Sequence, residues 1–175
     1  NLEVGIVLKG EQGCLIKGTK VLMSDGTYKN VENIKAGDYL TSFDLSTGEF
    51  KTAHVISILR DKSNYLLFNN RLATSPTHPI YIISKGFIPA KDIRVGDYLL
   101  NENNEKVRVD SIENISEEVD VYNINLESPH NFFADGYLVH NKFWPAARCT
   151  QVYVKVKYKP DVVFTYNATD DNSID

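Results

Sequence analysis

Val31-Glu-Asn-Ile-Lys-Ala-Gly-Asp-Tyr-Leu40 returns 59 residues later as Ala90-Lys-Asp-Ile-Arg-Val-Gly-Asp-Tyr-Leu99. Ile34 and Ile93, Gly37 and Gly96, Asp38 and Asp97, Tyr39 and Tyr98, and Leu40 and Leu99 coincide at that single offset. Two copies are too few for a solenoid, whose repeats must stack to bury a continuous core. They suit one compact β-domain built from two halves related by a pseudo-twofold. In each copy a short helical turn, over Val31–Ile34 or Ala90–Ile93, leads through a Gly-Asp turn into an apolar strand start. Downstream the match weakens to Ser75-Pro-Thr-His78 against Ser128-Pro-His130. A pseudo-twofold would let those two histidines converge on one centre.

The surrounding sequence keeps the same cadence. Short apolar or alternating runs such as Thr19–Met23, Tyr39–Phe43, His54–Leu59, Ile80–Ile83 and Val119–Leu126 are punctuated by turn residues about every ten positions, which reads as all-β. No long amphipathic helix is evident. The chain has 175 residues, 42% of them hydrophobic, and 19 aromatic side chains, enough to bury a self-sufficient core. A formal charge of −4 argues against a general affinity for nucleic acid. No apolar run approaches a membrane span and no signal peptide opens the sequence, which leaves the compartment open and a reducing cytoplasm compatible. Two cysteines, Cys14 and Cys149, are too few for a disulfide scaffold or a four-thiolate zinc site. A monomer needing no cofactor is the expectation.

Three places carry candidate chemistry. At Gly13-Cys14 a thiol directly follows a peptide carbonyl and can attack it through a five-membered ring, exchanging amide for thioester. That step needs thiolate character and a proton for the departing nitrogen. Taken alone, a single cysteine is more often a buried core residue. In Thr74-Ser75-Pro76-Thr77-His78-Pro79 a histidine sits among hydroxyls and prolines. It suits an oriented proton donor beside groups able to hold a carbonyl under attack, and equally an ordinary turn. In Val121-Tyr-Asn-Ile-Asn-Leu-Glu-Ser-Pro-His130-Asn-Phe-Phe-Ala-Asp-Gly-Tyr-Leu-Val-His140-Asn141, the Asn141 amide can attack its own main-chain carbonyl and cut the chain before Lys142. His140 adjoins it and His130 lies one hairpin away, so a proton for the leaving amine is at hand.

Together these elements closely resemble the Hint superfamily of inteins, bacterial intein-like domains and hedgehog autoprocessing domains. The resemblance rests on Cys14-Leu-Ile-Lys-Gly-Thr-Lys-Val21, Gly37-Asp-Tyr-Leu40, Ser75–Pro79, Ala90–Leu99 and the His130-to-Asn141 ending, and it spans Cys14 to Asn141. The spacing between His78 and His130 leaves no room for an inserted homing endonuclease. The resemblance therefore implies a minimal domain with the family's flattened β-horseshoe and pseudo-twofold. It implies Cys14 as the N-terminal nucleophile and His78 as the histidine that destabilises and protonates the scissile amide. His130 and His140 would assist at the C-terminal junction, where Asn141 cyclises.

Three positions depart from the family pattern. Ser75 stands where threonine is usual, with Thr74 beside it. Asn123 replaces an aspartate common in inteins. Lys142 follows Asn141, where standard splicing needs Cys, Ser or Thr to accept the acyl group. The resemblance thus implies a single-turnover self-processing domain at 14–141, with 1–13 and 142–175 as host flanks that are its own substrate. Junction cleavage would dominate over splicing, and an external thiol or amine could capture the thioester. A decayed Hint fold serving as a rigid β-module is the alternative. Zinc on Cys14 and a histidine, or a Cys14–Cys149 disulfide, would each mask the nucleophile.

Overall fold

The computed structural model describes residues 13–141 in full and, outside them, the strand backbones at 2–5, 152–156 and 164–166. The chain divides into two compact units, Gln12–Phe143 and a second made of Asn1–Glu11 with Trp144–Asp175. The first strand, β1 (Leu2–Gly5), belongs to the smaller unit.

The larger unit is all-β, with antiparallel pairings in two sheets. An eight-stranded sheet runs β11 (Lys106–Arg108), β10 (Tyr98–Leu100), β8 (Pro79–Ile82), β14 (Tyr137–His140), β13 (Asn131–Ala134), β3 (Lys20–Leu22) and β4 (Tyr28–Asn30), with β9 (Gly86–Pro89) also on β8. A five-stranded sheet runs β12 (Ile112–Leu126), β2 (Leu15–Ile16), β7 (Leu72–Thr74), β6 (Glu49–Phe68) and β5 (Tyr39–Asp44), and β12 also pairs with β6. One core draws on both sheets, with Leu15, Leu40, Phe68, Ile80, Leu99, Ile124, Phe132 and Val139 almost wholly excluded from water. Each such side chain contributes roughly 1.5–3 kcal/mol by leaving solvent.

The internal repeat is written in the hydrogen bonds. Val31–Asn33 and Ala90–Asp92 form matching 3-10 turns. The Val31 amide donates to Thr19 O and the Ala90 amide to His78 O; the Thr19 amide donates to Ile16 O and the His78 amide to Ser75 O. Every one of these equivalents is separated by the same 59 residues. Asp38 Oδ2 accepts the Lys35 amide and Asp97 Oδ2 the Arg94 amide, closing the same turn twice. Gly37 (φ 92°) and Gly96 (φ 97°) supply the left-handed residue that each turn requires. Leu15 pairs with Thr74 across β2 and β7. These two residues are themselves equivalents, so the pseudo-twofold passes between them.

Strand β6 is much longer than the His54–Leu59 run visible in the sequence. Its middle pairs with β12 in a ribbon where Arg60, Asp61 and Lys62 face Tyr122, Val121 and Asp120. Arg60–Lys62 are exposed in succession, so apolar alternation cannot reveal this part of the strand.

In the smaller unit β1 pairs with β15 (Val152–Val156), Leu2 opposite Val156 and Val4 opposite Val154, and β15 pairs with β16 (Phe164–Tyr166). Strand β15 lies within Gln151–Lys159, where Val and Tyr alternate with Gln and Lys.

Candidate functional site

Cys14 enters just ahead of β2 and is buried, 2% exposed. Ser75 holds it from both sides. The Cys14 amide donates to Ser75 Oγ at 2.8 Å, and the Ser75 amide donates to Cys14 O at 2.8 Å. The nitrogen that would depart in an acyl shift thus lies against a hydroxyl oxygen. Thr74, fully buried, donates its hydroxyl to Ser75 O at 3.0 Å and so shapes the same loop. His78, 1% exposed, backs onto Gly13, where an added Cβ would stand 2.7 Å from His78 Cα and 3.1 Å from Pro79 Cδ. Only glycine allows this approach without displacement.

The loop is anchored by the second copy of the repeat. Ala90 and Lys91 amides donate to His78 O and Pro76 O at 2.9 and 2.8 Å. The stretch that decides the fold therefore also fixes the position of His78. Asn123 lies on β12, one step beyond the Tyr122–Leu15 pair, which brings it level with Cys14. It too is buried. Burial pushes the Cys14 thiol from an ordinary value of 9.0 up to about 12, and the negative charge of Asp61 adds to the rise.

The C-terminal end of β12, three residues beyond Asn123, meets Asn141, which is 1% exposed. The Asn141 side-chain nitrogen donates to Leu126 O at 3.2 Å and to Asn125 Oδ1 at 3.4 Å. A main-chain carbonyl only accepts, so this contact fixes which end of the amide is nitrogen. Among the described residues Asn141 Oδ1 is buried with no hydrogen-bond donor, and the amide is bonded on its nitrogen side alone. A donor on the oxygen would deepen amide resonance and draw electron density off the nitrogen, and here none does.

His130 (φ 62°) stands at the head of the β13–β14 hairpin. Its Nδ1 lies 2.7 Å from Leu126 O, which requires a proton on Nδ1 and leaves Nε2 for other work. Its carbonyl accepts the Asn141 amide at 2.8 Å. His140, half-buried, rests edge-on to Phe87 with ring centroids 4.8 Å apart, and its ring is 6.2 Å from that of His130. Burial holds His140 below the usual histidine value; the nearby His130 adds to this and the Asn141 amide opposes it.

Strand register brings the two groups together. Ile80 of β8 lies opposite Val139 of β14, and two steps further along that antiparallel pair are His78 and Asn141. Cys14, Ser75, His78, Asn123, His130, His140 and Asn141 are thus gathered around the ends of β8, β12 and β14. Lys142 and Cys149 lie outside the described residues, and with them the disulfide considered above. Among the described residues no group of three or more His, Cys, Asp or Glu side chains is placed to hold a metal. Sequence reading missed Asn125, the Leu126 carbonyl and Asn131. Leu126 acts through a main-chain group that motifs do not record, Asn125 acts through its side-chain oxygen, and Asn131 hides beside His130.

The family model of the pretoxin HINT domain matches residues 20–143. The chain belongs to the pretoxin HINT family. Among solved structures, this HINT domain is similar to a bacterial intein-like domain from Clostridium thermocellum, at 28% identity and a TM-score of 0.64 over 73% of this chain and 98% of the other. A DnaB intein from Synechocystis matches at 15% identity and a TM-score of 0.66, over 75% of this chain and 99% of the other. A DnaX mini intein from Spirulina platensis matches at 24% and 0.60, over 73% and 99%. The latter two share the fold. No curated protein matches the sequence.

Proposed function

We propose that residues 14–141 form an autoprocessing domain that cuts its own chain at Gly13-Cys14 and at Asn141-Lys142. The observation that carries this reading is the strand register that sets His78, beside Gly13-Cys14, level with Asn141, with Cys14 and Asn141 both buried and hydrogen-bonded through their amide nitrogens. The likeness to an intein-like domain and the pretoxin description of the family support it. The flanks 1–13 and 142–175 are then host segments, and the pairing of β1 with β15 makes them parts of one sheet. In a pretoxin the released flank would be the cargo.

At the first junction Cys14 Sγ attacks the Gly13 carbonyl carbon, the bond to the Cys14 nitrogen breaks, and the thiol proton is replaced on that nitrogen. Ser75 Oγ accepts the amide proton in the resting state. Once the nitrogen becomes pyramidal, the same hydroxyl can turn its own proton towards it, with His78 replenishing the relay. Water or an outside thiol or amine then opens the thioester, because Lys142 has neither hydroxyl nor thiol to take the acyl group. Gly13→Ala is expected to slow this cleavage by about tenfold, since the nearest obstacle is backbone and cannot swing aside. Release at Lys142 should change little, and the ratio of the two products measures the effect.

At the second junction Asn141 Nδ2 attacks its own carbonyl carbon, the bond to Lys142 breaks, and a succinimide remains on Asn141. His140, kept neutral by burial, takes the proton that Nδ2 loses. His130 delivers one to the leaving amine through Nε2. Release of Lys142 is therefore expected to fall at low pH as His140 gains a proton, with a midpoint below 6.5. A rate that holds constant from pH 7 down to pH 4 would refute this role for His140.

The direct test is intact-protein mass spectrometry of the chain over days, with and without a thiol. Fragments ending at Gly13 and beginning at Lys142 are expected, the first accelerated by thiol. An unchanged mass with the fold intact would support the inactive β-module instead.

A further inference from the structure

We propose that Asn131 is a positioning residue for the C-terminal reaction, clamping the turn that carries His130 onto β5. This rests on the autoprocessing reading above and adds a residue to it.

Strands β13 and β5 belong to different sheets and share no backbone ladder. Asn131, 3% exposed, bridges them with its side chain. Its Oδ1 accepts the Phe43 amide at 2.8 Å, and its Nδ2 donates to Phe43 O at 2.9 Å. The side-chain amide thus imitates a peptide group and pairs with one residue of β5 in both directions. Next to it Ser42 donates its hydroxyl to Asn131 O at 2.6 Å. Three buried hydrogen bonds therefore fasten this one residue.

What they fasten is the start of the hairpin that holds the reacting groups. Asn131 lies opposite His140 in the β13–β14 register. His130, immediately before it, takes a left-handed backbone conformation that is unfavourable for a residue with a side chain of this size. Such a conformation persists where its surroundings enforce it. Outside the turn, the His130 main chain is bound by its carbonyl, which accepts the Asn141 amide. If the clamp loosens, the His130 ring moves off Leu126 O, and its carbonyl moves with the Asn141 backbone. The N-terminal junction has its own anchors in Ser75 and the Ala90 turn, and none of them involves β5 or Asn131.

Asn131→Asp keeps size and the acceptor for the Phe43 amide but sets a charged oxygen against Phe43 O. In mass-spectrometric time courses, well below the melting temperature, it is expected to slow release at Lys142 by about tenfold or more. Thiol-dependent release at Gly13 should stay within about twofold. Ser42→Ala loosens the same turn from the other side and is expected to give a smaller loss confined to the same junction. Phe133→Leu, in the apolar contact between β13 and Phe43, lowers the melting temperature and should leave the ratio of the two rates unchanged. Equal slowing of both junctions by Asn131→Asp, or no slowing at Lys142, would overturn the proposal. A second readout needs no cleavage. In a Cys14→Ala/Asn141→Ala chain, nitrogen NMR should find His130 carrying its proton on Nδ1, and Asn131→Asp should erase that signature. Retention of it would also overturn the clamp, whatever becomes of the autoprocessing reading.

Discussion

Cys14→Ala is expected to abolish thiol-dependent release of residues 1–13, by about 10⁵-fold or more, while release at Lys142 continues. The size follows from removing an intramolecular nucleophile whose attack costs no encounter. Intact mass over time measures it, and persistence of the Gly13-terminated fragment in the variant would disprove the assignment. The same substitution should change stability at high pH. The folded-state thiol titrates near about 12, against 9.0 for an ordinary one. Between those values the unfolded chain has lost its proton and the folded chain keeps it, so raising pH draws the equilibrium towards unfolding. Stability from this source is complete below pH 9 and lost as pH climbs towards 12. Cys14→Ala removes that dependence, so its alkaline unfolding midpoint should lie above that of the parent chain. The resting site thus holds few thiolates, about one in 10⁴ at pH 8. Intact chain can therefore persist before an outside thiol arrives.

The repeat was legible because it is local. Gly-Asp turns and the apolar residues after them are chosen by backbone chemistry within ten residues, and their hydrogen bonds recur at the same offset. The motif residues Cys14, His78, His130 and Asn141 were legible through family resemblance, and spacing alone left them ambiguous. Two kinds of feature were not readable. The exposed centre of β6 has no apolar periodicity, and its strand character comes from pairing with a partner more than fifty residues away. The settings of the reactive groups come from main-chain atoms, such as the Leu126 carbonyl shared by His130 and Asn141, and no residue type encodes them. Asn131 falls between these cases. Its identity is visible in the motif, but its work depends on β5 passing beside it.

Asn141→Ala is expected to stop release at Lys142, again by about 10⁵-fold or more, and to leave the Gly13 junction cutting at its own rate. In the proposed reaction Asn141 Nδ2 is the nucleophile and is tethered to the carbonyl it attacks, so no neighbour can replace it. Its effect on the fold should be small. Truncation removes two long hydrogen bonds, at 3.2 and 3.4 Å, but also removes a buried oxygen that has no donor among the described residues. A lost hydrogen bond costs about 1 kcal/mol net, and a buried polar atom without a partner costs about 1–3 kcal/mol. The opposing contributions nearly cancel, so the melting temperature should stay within a few degrees of the parent. That pairing of outcomes separates a reacting group from a structural one. An asparagine kept for packing would lose stability on truncation and leave the product pattern alone. The Asn141 amide, bonded through its nitrogen and without a donor on its oxygen among the described residues, is arranged for the opposite result. A variant that melts much earlier and still releases Lys142 would show that this amide holds the hairpin and does not cut it.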